Sequence, residues 1–222
     1  MRIYSYLKNN LNLTKSEVMR LDSEGRILVN GKKENLSRNI RSGEVVTCDG
    51  IEVKNIEFSY YVYNKPKGVI CTNNKNIKDN IASKLDIDKK VYPVGRLDKD
   101  TRGLIFLTND NKFTHYVLES KEVDKEYLVT VEEEITDSIL ESLQDVITIG
   151  GKKTTRATVK KESSSIVSIT LFEGRYHQVR ELVKHSGAHL VDLKRIRIGK
   201  YILDNDLEEG KYKEVRNLKD LL

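Results

Sequence analysis

Strand-length runs of apolar and β-branched residues recur at 103–108, 127–131, 157–160 and 166–172, and only two helix-like stretches are interspersed among them. That order specifies an α+β domain rather than a doubly wound one, which would need a helix after nearly every strand. A further strand opens at Tyr60 and ends at Pro66, which cannot donate to a ladder, with Gly68 supplying the turn. The helix over 110–119 follows an Asn-Asp cap, and the one over 137–146 gathers Ile139, Leu140, Leu143 and Val146 on one face.

The first fifty residues read differently. Thr14-Lys15-Ser16-Glu17 has the form of a capping box, starting a helix through Val18 and Leu21 that stops near Gly25. A shorter helix over 3–8 precedes it. Ile27-Leu28-Val29 is strand-like, Asn30-Gly31 is a tight-turn dipeptide, and 45–47 offers a later strand. With 50–59 as the connection, the chain divides into a small unit, 1–57, and a larger one, 58–222. The net charge of +5 sits in the small unit: residues 1–41 hold nine Lys or Arg against four Asp or Glu, and the remainder sums to zero. A polyanion would meet that basic end first, although a lysine-rich solvated surface has the same composition.

Several classes are excluded. Cys48 and Cys71 stand in unrelated contexts, giving neither a disulfide framework nor a zinc pattern, as expected in a reducing compartment. No apolar run is long enough to cross a bilayer and no leader precedes Tyr4, so a cytoplasmic protein is expected. His185 and His189 are separated by the helix-ending Gly187 and lack an accompanying Glu, which argues against a zinc hydrolase. The segment 149–153 lacks the spacing of a phosphate loop and reads as a turn.

Three strings carry chemistry. Gly95-Arg96-Leu97-Asp98 sets a carboxylate beside two cations, where an acid can act as nucleophile or base. Lys125-Glu126-Tyr127-Leu128-Val129 starts a strand with a tyrosine whose ring can pack in the core or lie over a base. Glu173-Gly174-Arg175-Tyr176-His177-Gln178-Val179-Arg180 leads into a helical stretch, 176–186, with Val179, Leu182 and Val183 in register. Taken alone, Arg175 and Arg180 could simply solvate that helix, and His177 could be a buried, hydrogen-bonded histidine.

Together, and in this order behind a basic helix-helix-strand unit, these strings resemble the pseudouridine synthases that modify ribosomal RNA, specifically the small-subunit synthase A-like (RsuA-like) family. The resemblance implies an S4-like RNA-binding domain over 1–57 and a mainly antiparallel synthase domain over 58–222. It gives Asp98 the role of acting on the ribose, Arg175 that of the guanidinium against Asp98, and Tyr127 that of packing on the target base. Arg2, Lys15 and Arg20 become phosphate contacts. Lys65 and Arg96 become supporting groups that line the cleft near the acid or the RNA backbone, and His177, Gln178 and Arg180, grouped with them as RNA-binding residues, hold local backbone or phosphate. Isomerising uridine breaks N1–C1′ and rejoins the base through C5; nothing is oxidised, so the implied enzyme needs neither metal nor cofactor. The implied partner is ribosomal RNA or a ribosomal assembly intermediate, 16S favoured over 23S, met by a monomer. A non-catalytic assembly factor and a transfer-RNA synthase are the competing readings. Departures from the family pattern at Lys15, Arg102 and Glu181-Leu182 leave the target nucleotide open.

Overall fold

The Thr14 hydroxyl accepts from the Glu17 amide at 3.3 Å, while the Glu17 carboxylate accepts from the Thr14 amide at 2.7 Å, so two otherwise orphaned donors are satisfied and a helix begins. This is the capping box in the first of two units, Met1–Glu57 and Phe58–Leu222. The computed structural model describes residues 1–11, 13–55, 57–72, 74, 76–87, 90–216 and 218–221, Lys219 by its backbone only.

In the first unit, α1 (Ile3–Asn10) and α2 (Lys15–Ser23) precede β1 (Ile27–Val29), β2 (Val46–Cys48) and β3 (Ile51–Glu52). Asn30 and Gly31 both take positive φ, +48° and +78°, and the turn closes with Val29 N–H to Lys32 O at 2.8 Å. It does not lead into a simple hairpin. The ladder partner of β1 is β2, with Ile27 opposite Cys48 and Val29 opposite Val46. Ile3, Leu7, Val18, Leu21, Ile27 and Val46 form the core.

The second unit contains β4 (Tyr60–Lys65), β5 (Tyr92–Pro93), β6 (Arg102–Thr108), α3 (Asn111–Glu119), β7 (Lys125–Val131), α4 (Asp137–Ser142), β8 (Thr148–Ile149), β9 (Lys152–Lys153), β10 (Thr158–Lys161), β11 (Ile166–Leu171), α5 (Gln178–His185), β12 (Leu190–Ile198), β13 (Tyr201–Ile202) and β14 (Tyr212–Glu214). Among the described residues the large sheet runs β10-β11-β7-β12-β6-β4-β14, with β13 on β12 and β5 on β6. Of these strand pairs only β12 with β6 is parallel, so the fold is α+β with a mainly antiparallel sheet. One face carries Val129, Val167, Ile169, Val179 and Leu182; the other carries Leu104, Phe106, Phe113 and Val117. No described helix is long and apolar enough to cross a membrane.

Two differences from the sequence expectation have local causes. The helix over 137–146 stops at Ser142, because Leu143 turns into the core and Val146 is left exposed as the chain enters the β8–β9 hairpin. The strand β12 was not anticipated, because four of its nine residues are charged. Two of those charges are matched by neighbours: Asp192 takes Arg102 at 2.8 Å and Lys67 at 2.6 Å, and Arg197 reaches Asp124 and Glu126 at 2.7 Å each.

At Gly103 the crossing of β6 and β12 leaves no room for a side chain. A Cβ there would overlap the Arg195 carbonyl oxygen and lie 2.8 Å from its nitrogen, at a φ of +104° that L residues rarely adopt.

Candidate active site

Asp98 sits in the loop between β5 and β6, and that loop is pinned from beneath. Gly95, at φ +76°, turns the chain where a Cβ would be 2.8 Å from Leu118. The Leu97 amide donates to Cys71 Sγ at 3.4 Å, and the Thr101 amide closes onto Asp98 O at 3.1 Å. The Lys65 ammonium, fully buried at the end of β4, donates to Pro66 O, Lys99 O and Thr101 O at 3.0, 3.3 and 2.7 Å. Burial pulls this lysine below the ordinary range, and Cys71, Asp100 and Asp98 pull the other way. The expectation of Lys65 as an RNA-facing group is thereby corrected: its amine ties together the backbone around Asp98 and has no surface to offer.

The Asp98 carboxylate is half-buried between two groups from the start of α5. Arg180 Nε donates to Oδ2 at 3.0 Å, and His177 Nε2 lies 3.2 Å from Oδ1. Arg180 Nη2 also donates to Thr101 Oγ1 at 3.2 Å, fixing the guanidinium to both residues that close the Asp98 turn.

Arg175 does not hold Asp98, which corrects the sequence reading. It pairs with Glu173 at 2.9 Å and donates to Lys153 O at 2.6 Å. The reason lies in where α5 begins. His177 takes a left-handed conformation, φ +56°, so the helix starts at Gln178 rather than at 176; its first turn presents Arg180 to the acid and leaves Arg175 in the preceding loop. Of the two roles expected for Gln178, local backbone or phosphate, the structure places it on the local backbone. It is buried, accepting from the Arg175 amide at 3.1 Å and donating to Glu173 at 3.0 Å. Burial would raise the Glu173 carboxyl, but the Thr155 amide, Arg175 and Gln178 outweigh it and hold Glu173 below the usual range.

Tyr127 stands on β7, opposite Ile169 of β11 and Arg195 of β12, and is 9% exposed. Its ring lines a cleft with Asp98, Arg96, Arg175 and His177. The cleft has two adjoining recesses, one of about 70 Å³, walled by Leu171, Leu193 and Arg180, and one of about 450 Å³. The larger volume falls in the range of small-molecule sites. Asp98, Tyr127 and Arg175 therefore share one cavity, although among the described residues only Arg180 and His177 pair with the Asp98 carboxylate. At the rim the Tyr176 ring, 74% exposed, stacks on His177 at 3.8 Å between centroids. Arg96 is exposed beside it.

In the first unit Arg2, Lys15 and Arg20 are all exposed. Arg2 and Lys15 border a groove of about 830 Å³ together with Lys33, Tyr4 and Met19; Arg20 lies outside that lining.

A pinned carboxylate, its guanidinium and an aromatic wall in one cleft can be compared with known proteins. The family model for RNA pseudouridylate synthase matches residues 59–185. The chain belongs to this family. As an RNA pseudouridine synthase of the RsuA-like group, it is 34% identical over 201 residues to the dual-specificity RNA pseudouridine synthase RluF of Escherichia coli (strain K12), a match covering 89% of this chain and 69% of that one. The ribosomal small subunit pseudouridine synthase A of Haemophilus influenzae is 30% identical over 220 residues, covering 96% and 95% of the two chains. A crystal structure of a pseudouridylate synthase superposes with a TM-score of 0.68 at 29% identity, covering 97% of this chain and 96% of the other.

Proposed function

We propose that this pseudouridine synthase isomerises a uridine of ribosomal RNA, 16S in preference to 23S, with Asp98 as the group that acts on the ribose. The observation that carries the reading is the Asp98 carboxylate, held by Arg180 at 3.0 Å and His177 at 3.2 Å in a cleft walled by Tyr127. A carboxylate so held keeps one orientation and presents its charge to a substrate without having to reorganise.

In this mechanism the flipped uridine enters the cleft with its ribose over Asp98 and its base against the Tyr127 ring. Asp98 attacks C1′ or removes the C2′ proton, and either route releases the base from N1–C1′. The base turns and C5 bonds to C1′ as Asp98 leaves C1′ on the first route, or returns its proton to C2′ on the second; the C5 proton then leaves and N1 gains one. Flipping requires unstacking, and the S4-like unit lowers the effective cost by holding the RNA nearby through Arg2, Lys15 and Arg20. Preference for 16S is supported by the match to the small-subunit synthase over 95% of that relative's length.

Replacing Asp98 by Asn and mapping pseudouridine across total RNA tests this directly. We expect one 16S position to lose its pseudouridine while the variant stays folded. Persistence of every modification would overturn the role of Asp98, and loss confined to 23S or transfer RNA would overturn the choice of substrate.

A further inference from the structure

Behind Tyr127 the wall of the cleft is cationic. Lys125 and Arg195 line the larger recess together with Asp98 and Tyr127, and each is more than nine-tenths buried. Lys125 lies two residues before Tyr127 on β7, and Arg195 is directly opposite Tyr127 on β12, so the three side chains project from one face of the sheet.

Neither cation has a carboxylate at ion-pair distance among the described residues, and Asp124 acts on Lys125 only from further away. Arg195 Nε donates to Leu104 O at 2.7 Å, but its buried Nη2 has no hydrogen-bond partner. Lys125 Nζ donates to Val117 O and Val123 O at 3.0 and 2.7 Å. Among the described residues neither forms an ion pair. Burial, reinforced by Arg195, pushes the Lys125 ammonium down to about 8. Two buried like charges with a spare donor raise the energy of the empty cleft, and an anion arriving there relieves it.

The reaction creates such an anion. When N1–C1′ breaks, the bonding pair stays with the uracil and spreads over N1, O2 and O4. We propose that Arg195, backed by Lys125, stabilises the uracil anion as it leaves C1′. The charge is consumed when C5 bonds to C1′, the C5 proton departs and N1 is protonated, so the wall gains interaction in the transition state and intermediate that it lacks with neutral uridine. The inference rests on the proposed placement of the base against Tyr127.

Comparing two leaving groups tests it. 5-Fluorouracil leaves as a more stable anion than uracil and needs less help from the protein. Transcripts of 16S and 23S RNA made with uridine or 5-fluorouridine are incubated with excess enzyme, and loss of the intact nucleoside is followed by digestion and mass spectrometry. We expect Arg195→Gln to slow uridine cleavage on the order of 100-fold and fluorouridine cleavage roughly tenfold less, so that the ratio of the two rates rises. Arg195→Lys should keep the ratio near that of the native protein. An unchanged ratio in Arg195→Gln, or a native uridine rate, overturns the proposal.

The ratio is taken within one preparation, so a partly folded sample does not distort it. If Arg195→Gln does not fold, Lys125→Met carries the same comparison, and a ratio that fails to rise there is equally decisive. A native protein that modifies neither transcript overturns the ribosomal reading instead. The rate comparison then uses total RNA from cells lacking the gene, grown with and without 5-fluorouracil.

Discussion

Arg180 Nε donates to Asp98 Oδ2 at 3.0 Å, while Arg175, five residues earlier, turns its Nε to Glu173 at 2.9 Å. The two arginines of one motif thus have separable duties, and their variants should differ. Arg180→Ala is expected to slow single-turnover pseudouridine formation about 100-fold or more, because the carboxylate loses its strongest partner. Arg175→Ala, which loosens only the loop around Glu173, should cost roughly tenfold or less. Equal losses would contradict this division.

Lys65 serves the loop and not the RNA. Lys65→Met leaves the carbonyls of Pro66, Lys99 and Thr101 without their shared donor. Each buried, unpaired acceptor costs about 1–3 kcal/mol. Urea unfolding should show a clear drop in stability, and kcat should fall because Asp98 is no longer fixed, while RNA affinity in a filter-binding assay should be unchanged. A selective loss of affinity would return Lys65 to the RNA surface.

Gly103→Ala should be the most damaging glycine substitution in the sheet, because its Cβ meets the Arg195 backbone. A loss of about 4 kcal/mol or more is expected from urea titration. Gly43→Ala is the control: it also has positive φ, +82°, but nothing lies within 4 Å, and about 1 kcal/mol is expected.

Stability should rise with pH through Lys125. Its folded-state value, about 8, lies below the ordinary lysine value of 10.5, so between these the unfolded chain binds the proton more tightly and each step up in pH favours the folded state. The penalty present below pH 8 fades by about pH 10.5 and amounts to about 3 kcal/mol at most. Subtracting the unfolding curve of Lys125→Met cancels the other groups that titrate in this window, Lys65 and the buried tyrosines among them. A flat difference from pH 7.5 to 10.5 would show that Lys125 is not desolvated.

Local rules made much of this legible before any coordinates. Thr14 and Glu17 announced α2, Pro66 ended β4, and the apolar run from Tyr127 to Val131 marked β7 as a strand. What stayed hidden depended on long-range pairing. The strand β12 looks too charged for a sheet interior until Arg102 and Lys67 are known to answer Asp192, and Asp124 and Glu126 to answer Arg197. Arg175 and Arg180 could be ranked only once the left-handed His177 had moved the helix start. A signal was present for Lys65: it continues the alternate set Tyr61 and Tyr63, both buried, along β4.

β12 also bonds to both strands that frame the cleft, to β6 just after the Asp98 loop and to β7 alongside Tyr127. The acid and the ring are therefore spaced by ladder geometry, which surface changes do not reach. The β8–β9 hairpin and the Tyr176 rim lie outside that frame, and the Lys153 carbonyl accepts from Arg175 in the loop before α5. A lineage built on this plan can exchange its target by rewriting its margins while the reacting interior keeps its dimensions.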